Sequence, residues 1–160
     1  MPKGYVLDSF ALIGYLEDEP FAEEMEALLR DAKRGGTRLY VHAVHLGEVY
    51  YITHREKGKD VADLAYTRIK AFPIHVVDRI REALLLTASS LKARFPVSYA
   101  DAYAAALAKI GLGTPMLALG MEYAGITAIT QAVYDLDGEI RGVPASIMME
   151  GTVGHEVAHQ

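Results

Sequence analysis

The stretch YVLDSFALIGYL, Tyr5 to Leu16, decides the fold. Tyr5-Val6-Leu7 is a short, unbroken apolar run, and Phe10, Ile13, Gly14 and Leu16 recur at helical spacing after it. Between them Asp8-Ser9 supplies a helix N-cap, because a short side-chain oxygen accepts one of the backbone N–H groups left unpaired in a first turn. The stretch therefore reads as strand, turn and helix, with a carboxylate at the carboxyl end of the strand.

Working outward, the same alternation recurs. Phe21 to Arg34 places Phe21, Met25, Leu28, Leu29 and Ala32 on one helical face, and Gly35-Gly36 ends it. Leu39 to Ala43 reads as a second strand, followed by a helix from about Val44 to Glu56 that stops at Gly58 and another from Asp60 to Ala71 that stops before Pro73. Ile74 to Val77 is a third strand. A helix over Arg79 to Arg94 turns Ile80, Ala83, Leu84, Thr87, Ala88 and Leu91 inward, and the next runs from Ser98 to about Ile110. Gly111 and Gly113 break it before a fourth strand, Pro115 to Leu119. Strands that are nearly continuous apolar runs, alternating with helices, predict an α/β protein with a parallel sheet covered on both faces. In such sheets the site lies beyond the carboxyl ends of the strands.

With 160 residues, 51% hydrophobic and 23% charged, the chain has the length of one domain with a sizeable core. We expect that domain over 1–134 and an extension of different pattern over 135–160, where DLDGE (Asp135 to Glu139), Gly142 and Pro144 interrupt. Cysteine is absent, which excludes disulfides, thiolate metal sites and thiol nucleophiles and suits a reducing cytoplasm. No apolar run approaches the roughly 20 residues that span a bilayer, and the start lacks a signal-peptide layout, so a cytoplasmic protein is expected. The net charge of −5 opposes nucleic-acid binding by bulk electrostatics, so any such contact must be local or bridged by a metal.

Three carboxylates stand where packing alone would not put them. Asp8 follows the first strand. Glu48, in VHLGEVYYI, has Val44 and Ile52 four residues to either side and so shares an apolar stripe, where a carboxylate is costly unless paired or metal-bound. Asp101, in VSYADAYAAALA, is at the third position of a helix that Ser98 caps, a capping-box arrangement, and it is surrounded at helical spacing by Ala104, Ala105 and Ala108. Convergence of the three at one end of the sheet would gather oxygen ligands suited to Mg²⁺ or Mn²⁺. Such an ion activates water and polarises a phosphoryl oxygen.

Together, YVLDSFALIGYL, VHLGEVYYI and VSYADAYAAALA resemble the PIN-domain family, most closely the VapC-type ribonuclease toxins of toxin–antitoxin pairs, over roughly Gly4 to Tyr123. The resemblance implies a three-layer α/β/α fold and Mg²⁺- or Mn²⁺-dependent endoribonuclease activity on an RNA substrate. It further implies homodimerisation and inhibition by a cognate antitoxin protein. By motif position, Asp8, Glu48 and Asp101 are the catalytic, metal-site acids, with Ser98 an auxiliary polar member. The family's fourth acid falls at Gly120, in MLALGMEY, so Glu122 is the remaining candidate ligand. That departure leaves a second reading: a catalytically impaired PIN-like module that binds RNA or protein.

Other signals carry less. His155-Glu156-Val-Ala-His159 matches the H-E-x-x-H zinc pattern, but no third ligand follows it. DLDGE lacks the spaced ligands of a calcium loop and reads as a turn. His42 and His45, with Glu48 three residues further on, could form a metal cluster, but the strand-to-helix turn between them does not fix a shared direction and core or surface histidines are the default. The basic groups Lys33-Arg34 with Arg38, and His54-Arg55 with Lys57 and Lys59, lie near helix ends, where cations suit the helix dipole.

Overall fold

The computed structural model describes residues 3–110 and 114–115. Its elements are β1 (Lys3–Leu7), α1 (Ser9–Leu16), α2 (Ala22–Lys33), β2 (Thr37–His42), α3 (Ala43–Lys57) and α4 (Lys59–Lys70), then β3 (Ile74–Val77), α5 (Glu82–Arg94), α6 (Tyr99–Lys109) and β4 (Thr114–Pro115). The strands form one parallel sheet in the order β3-β2-β1-β4. Leu7 pairs with Val41 and Val41 with Val76, so the carboxyl ends of β1, β2 and β3 share one edge.

Strand periodicity divides the core in two. Val6 faces α5 and α6, where it packs with Leu84, Ala88, Leu91, Tyr103 and Leu107. Leu7, Leu39 and Val41 face the other way, onto Leu12, Met25, Leu29, Leu46, Val49 and Ile69 of α1 to α4. Because successive strand side chains alternate between faces, each strand must be apolar at every position to serve both layers. The result is a three-layer α/β/α fold. In α6 every residue from Ala102 to Leu107 is buried, and the alanines among them let this helix lie close to the sheet and to α5.

The sequence boundaries hold to within a few residues. α2 and α3 are followed by Gly35 (φ 82°) and Gly58 (φ 90°), a left-handed backbone that glycine adopts without steric cost. One boundary is corrected: α5 begins at Glu82, not Arg79, because Arg81 is extended (φ −76°, ψ 153°) at its N-cap. Ile80 therefore precedes the helix and is exposed, as is Ala83, while Leu84, Ala88 and Leu91 form the inward face. The expected fourth strand, Pro115 to Leu119, is described only at Pro115, which with Thr114 before it forms β4 and pairs with Tyr5 and Val6. The rest of that strand, Gly120, Glu122, the boundary at 134, the DLDGE turn and the His155–His159 motif lie outside the described residues. Among the described residues no helix is long and apolar enough to cross a membrane.

Candidate active site

The shared carboxyl edge of β1 and β2 is where the acidic residues meet. β1 ends at Leu7, and Asp8 turns the chain into α1 as its N-cap, with Oδ1 accepting the Ala11 N–H at 2.8 Å. β2 ends at His42, whose Nδ1 accepts the Val44 N–H at 3.2 Å and so caps α3. α3 then carries His45 and Glu48 three residues apart, on one helical side. α6 starts at Tyr99 with Ser98 as N-cap. Ser98 Oγ accepts the Asp101 N–H at 3.0 Å, and the Asp101 carboxylate in turn accepts the Ser98 N–H, which completes the capping box.

His45 is the hub. Its side chain is wholly buried, its Nδ1 lies 3.0 Å from the Ser9 N–H and 3.5 Å from Glu48 Oε2, and it interacts electrostatically with both Asp8 and Asp101. Ser9 completes the link by donating its hydroxyl to Glu48 Oε2 at 2.5 Å. Asp8, Glu48 and Asp101, far apart in sequence, thus all act electrostatically on one imidazole. The Ser9 N–H and a proton on Nδ1 are alternatives: neutral imidazole accepts from Ser9, whereas imidazolium directs its Nδ1 proton to Glu48.

The charge balance follows from burial. Asp8 is pushed up to about 6, first by burial; His45 and the Ala11 N–H oppose the rise, and Asp101 and Glu48 add to it. Asp101 is also raised, again by burial first, with Ser98 and His45 working against the rise and Glu48 adding to it. For His45, burial disfavours the cation, but Glu48, Asp8 and Asp101 together outweigh it and raise its pKa. His42 is lowered, by burial and then by His45. The Nε2 atoms of both histidines are buried without a hydrogen-bond partner among the described residues.

One expectation is corrected. The buried stripe of α3 is His45, Leu46 and Val49, not Val44, Glu48 and Ile52: Val44 is exposed and Glu48 half-buried at the stripe's margin, because the cap at His42 starts the helix with His45 facing the sheet edge. His45 is a core histidine, as its default reading has it, and it also pairs with Glu48 one turn on. Ser9, which the sequence offers only as a cap, is the residue whose link to Glu48 sequence reasoning misses. Ser98 does its observed work on the backbone. The basic loops are largely neutralised in pairs, Lys57 with Glu17, Lys59 with Asp63, Arg55 with Glu56 and Arg34 with Asp31.

The donor set suits a hard divalent cation in its chemistry, since it offers carboxylate oxygens whose mutual repulsion a cation would relieve. Its spacing is looser than a finished cage: among the described residues no group of three His, Asp or Glu is set to hold an ion, and Glu48 is engaged by Ser9 and His45.

The fold is thus a parallel α/β/α sheet with acidic residues of α3, α6 and the end of β1 toward its carboxyl edge. The chain matches the PIN domain over residues 5–114 and belongs to the PIN domain family, whose members are generally metal-dependent nucleases. No curated protein matches the chain.

Proposed function

We propose that this protein is a Mg²⁺- or Mn²⁺-dependent endoribonuclease of the VapC type, the toxin of a toxin–antitoxin pair, in which Asp8, Glu48 and Asp101 bind the metal. The observation that carries the reading is the meeting of those three carboxylates around His45 at the carboxyl edge of β1 and β2. When bound, the cation lowers the pKa of water and polarises the phosphoryl oxygen. The chain's own groups prepare for it. Ser9 orients the Glu48 carboxylate, the Ser98 box fixes the start of α6 and hence Asp101, and the cap at Asp8 holds that carboxylate at the strand end. His45 balances the acids in the metal-free protein.

Inhibition by an antitoxin, homodimerisation and a cytoplasmic location belong to the same proposal. Asp101→Asn is expected to abolish Mn²⁺-dependent cleavage of RNA while leaving the fold intact by circular dichroism; full activity would defeat the site assignment. Gly120 and the engagement of Glu48 favour one competing reading, a catalytically impaired module that binds RNA or protein. Calorimetric titration with Mn²⁺ separates the two: no heat of binding, together with no cleavage by pure protein, favours the module.

A further inference from the structure

Tyr99 is the first residue of α6, two before Asp101, and it remains 45% exposed although the body of the helix is buried. Its ring is not isolated. The Tyr99 centroid lies 5.1 Å from that of Tyr103, with the planes inclined at 55°. Tyr103 is buried and stacks on His42 at 4.7 Å and 14°. His42 ends β2 and interacts with His45. Three rings therefore run from the strand edge that holds the carboxylates out to solvent. Tyr99 Oη lies 3.0 Å from Ser89 Oγ on α5, which ties the outermost ring in place.

Positive charge lies close to the stack in sequence, on the helix that also supplies Ser89. The last turn of α5 carries Lys92 and Arg94, both exposed, and only Phe95, Pro96 and Val97 separate it from Ser98 and Tyr99. Lys92 Nζ donates to the Val97 carbonyl at 2.6 Å, and the Arg94 guanidinium lies 5.2 Å from the Phe95 ring centroid. Neither makes a salt bridge among the described residues, unlike the cations around α3 and α4. On a chain of net charge −5 this is where an aromatic face and unneutralised cations occur together at the helix that bears a site carboxylate.

We infer that Tyr99 is a stacking platform for an unpaired base of the RNA substrate, with Lys92 and Arg94 taking neighbouring phosphates. The inference rests on the ribonuclease reading above. Aromatic faces with interleaved cations bind single strands with little sequence preference, because every base offers a π-face. Pre-ordering by Tyr103 and Ser89 means that little rotamer freedom is lost on binding.

The test uses the full chain in EDTA, so that RNA is bound without being cut, and a fluorescein-labelled single-stranded oligoribonucleotide carrying 5-iodouridine. By anisotropy, Tyr99→Ala is expected to weaken binding about 5- to 100-fold, the range for loss of one base stack. Tyr99→Phe keeps the ring and is expected to stay within about threefold of wild type, with any loss ascribed to the Ser89 contact. Photocrosslinking of wild type should map to Tyr99. Unchanged affinity in Tyr99→Ala, an equal loss in Tyr99→Phe, or a crosslink on another face would overturn the platform while leaving the nuclease reading standing. A wild-type protein that binds no RNA with or without Mn²⁺ would overturn both.

Discussion

Asp8 is the residue whose removal should make the metal-free protein more stable. Its carboxyl is buried and held at about 6 instead of the ordinary value of 3.8. The folded state therefore binds this proton more tightly than the unfolded chain does, and stability from this group falls as pH rises from 3.8 to about 6. Above that window the folded protein carries a penalty of ~3 kcal/mol for holding the charge, while below pH 3.8 the penalty is absent. Asp8→Asn removes the charge and keeps a good N-cap acceptor for the Ala11 N–H. Its new amide protons need partners in a buried place, which returns about 1 kcal/mol. The net gain of ~2 kcal/mol corresponds to a Tm higher by about 4–8 °C for a chain of this length. Scanning calorimetry of EDTA-treated wild type and Asp8→Asn at pH 8 and pH 4 measures it, and the advantage should shrink at pH 4. Adding Mn²⁺ should then raise the Tm of wild type and leave the variant where it was. Equal or lower stability of Asp8→Asn at pH 8, or a gain that ignores pH, would refute the reasoning.

Two further outcomes follow from the same cluster. At pH 6, where its raised pKa favours the cation, His45→Leu removes the buried counter-charge of three acids, so urea unfolding should show a loss of about 2–3 kcal/mol; at higher pH the variant instead lacks the acceptor that neutral imidazole offers the Ser9 N–H. Because the raised pKa of His45 favours folding below 6.5 and that contribution fades as pH rises through its folded value, the loss should be smaller at pH 9. His45→Asn, which keeps a side-chain acceptor, should recover part of it. Ser98→Ala deletes the cap of α6 and should cost about 1 kcal/mol in the same assay, with Ser98→Thr restoring most of it. Loss of the Ser98 side-chain hydrogen bond should also raise the Asp101 pKa further, while the backbone N–H is kept.

Much of the fold could be read directly from the chain, because a strand buried on both faces cannot hide its apolar run. Ile74 to Val77 has the boundaries the sequence suggested, and the helix ends fall where Gly35 and Gly58 permit a positive φ. The start of α5 was misplaced because Ile80 continues the i, i+4 pattern of Leu84 and Ala88 without belonging to the helix; periodicity cannot see an extended N-cap. At the site, the three acids were conspicuous because carboxylates in apolar stretches are costly. His45 was not, since a histidine among apolar residues is compatible with any burial and its partner Ser9 is remote in sequence. Which way α3 is rotated, and hence which side of Glu48 is buried, depends on how β2 hands over to the helix at His42, a tertiary matter that a stripe of residue types does not encode.

The strand order β3-β2-β1-β4 also has a consequence for synthesis. The first strand made lies in the middle of the sheet, and its neighbours are made later on either side. Asp8 leaves the ribosome early, Glu48 follows with α3, and Asp101 arrives only with α6, after β1, β2, β3 and helices α1 to α5 have been translated. Since domains fold as units once enough chain has emerged, the acidic cluster cannot assemble on a short nascent chain. The cluster proposed above as the metal site therefore forms only when most of the domain has been made.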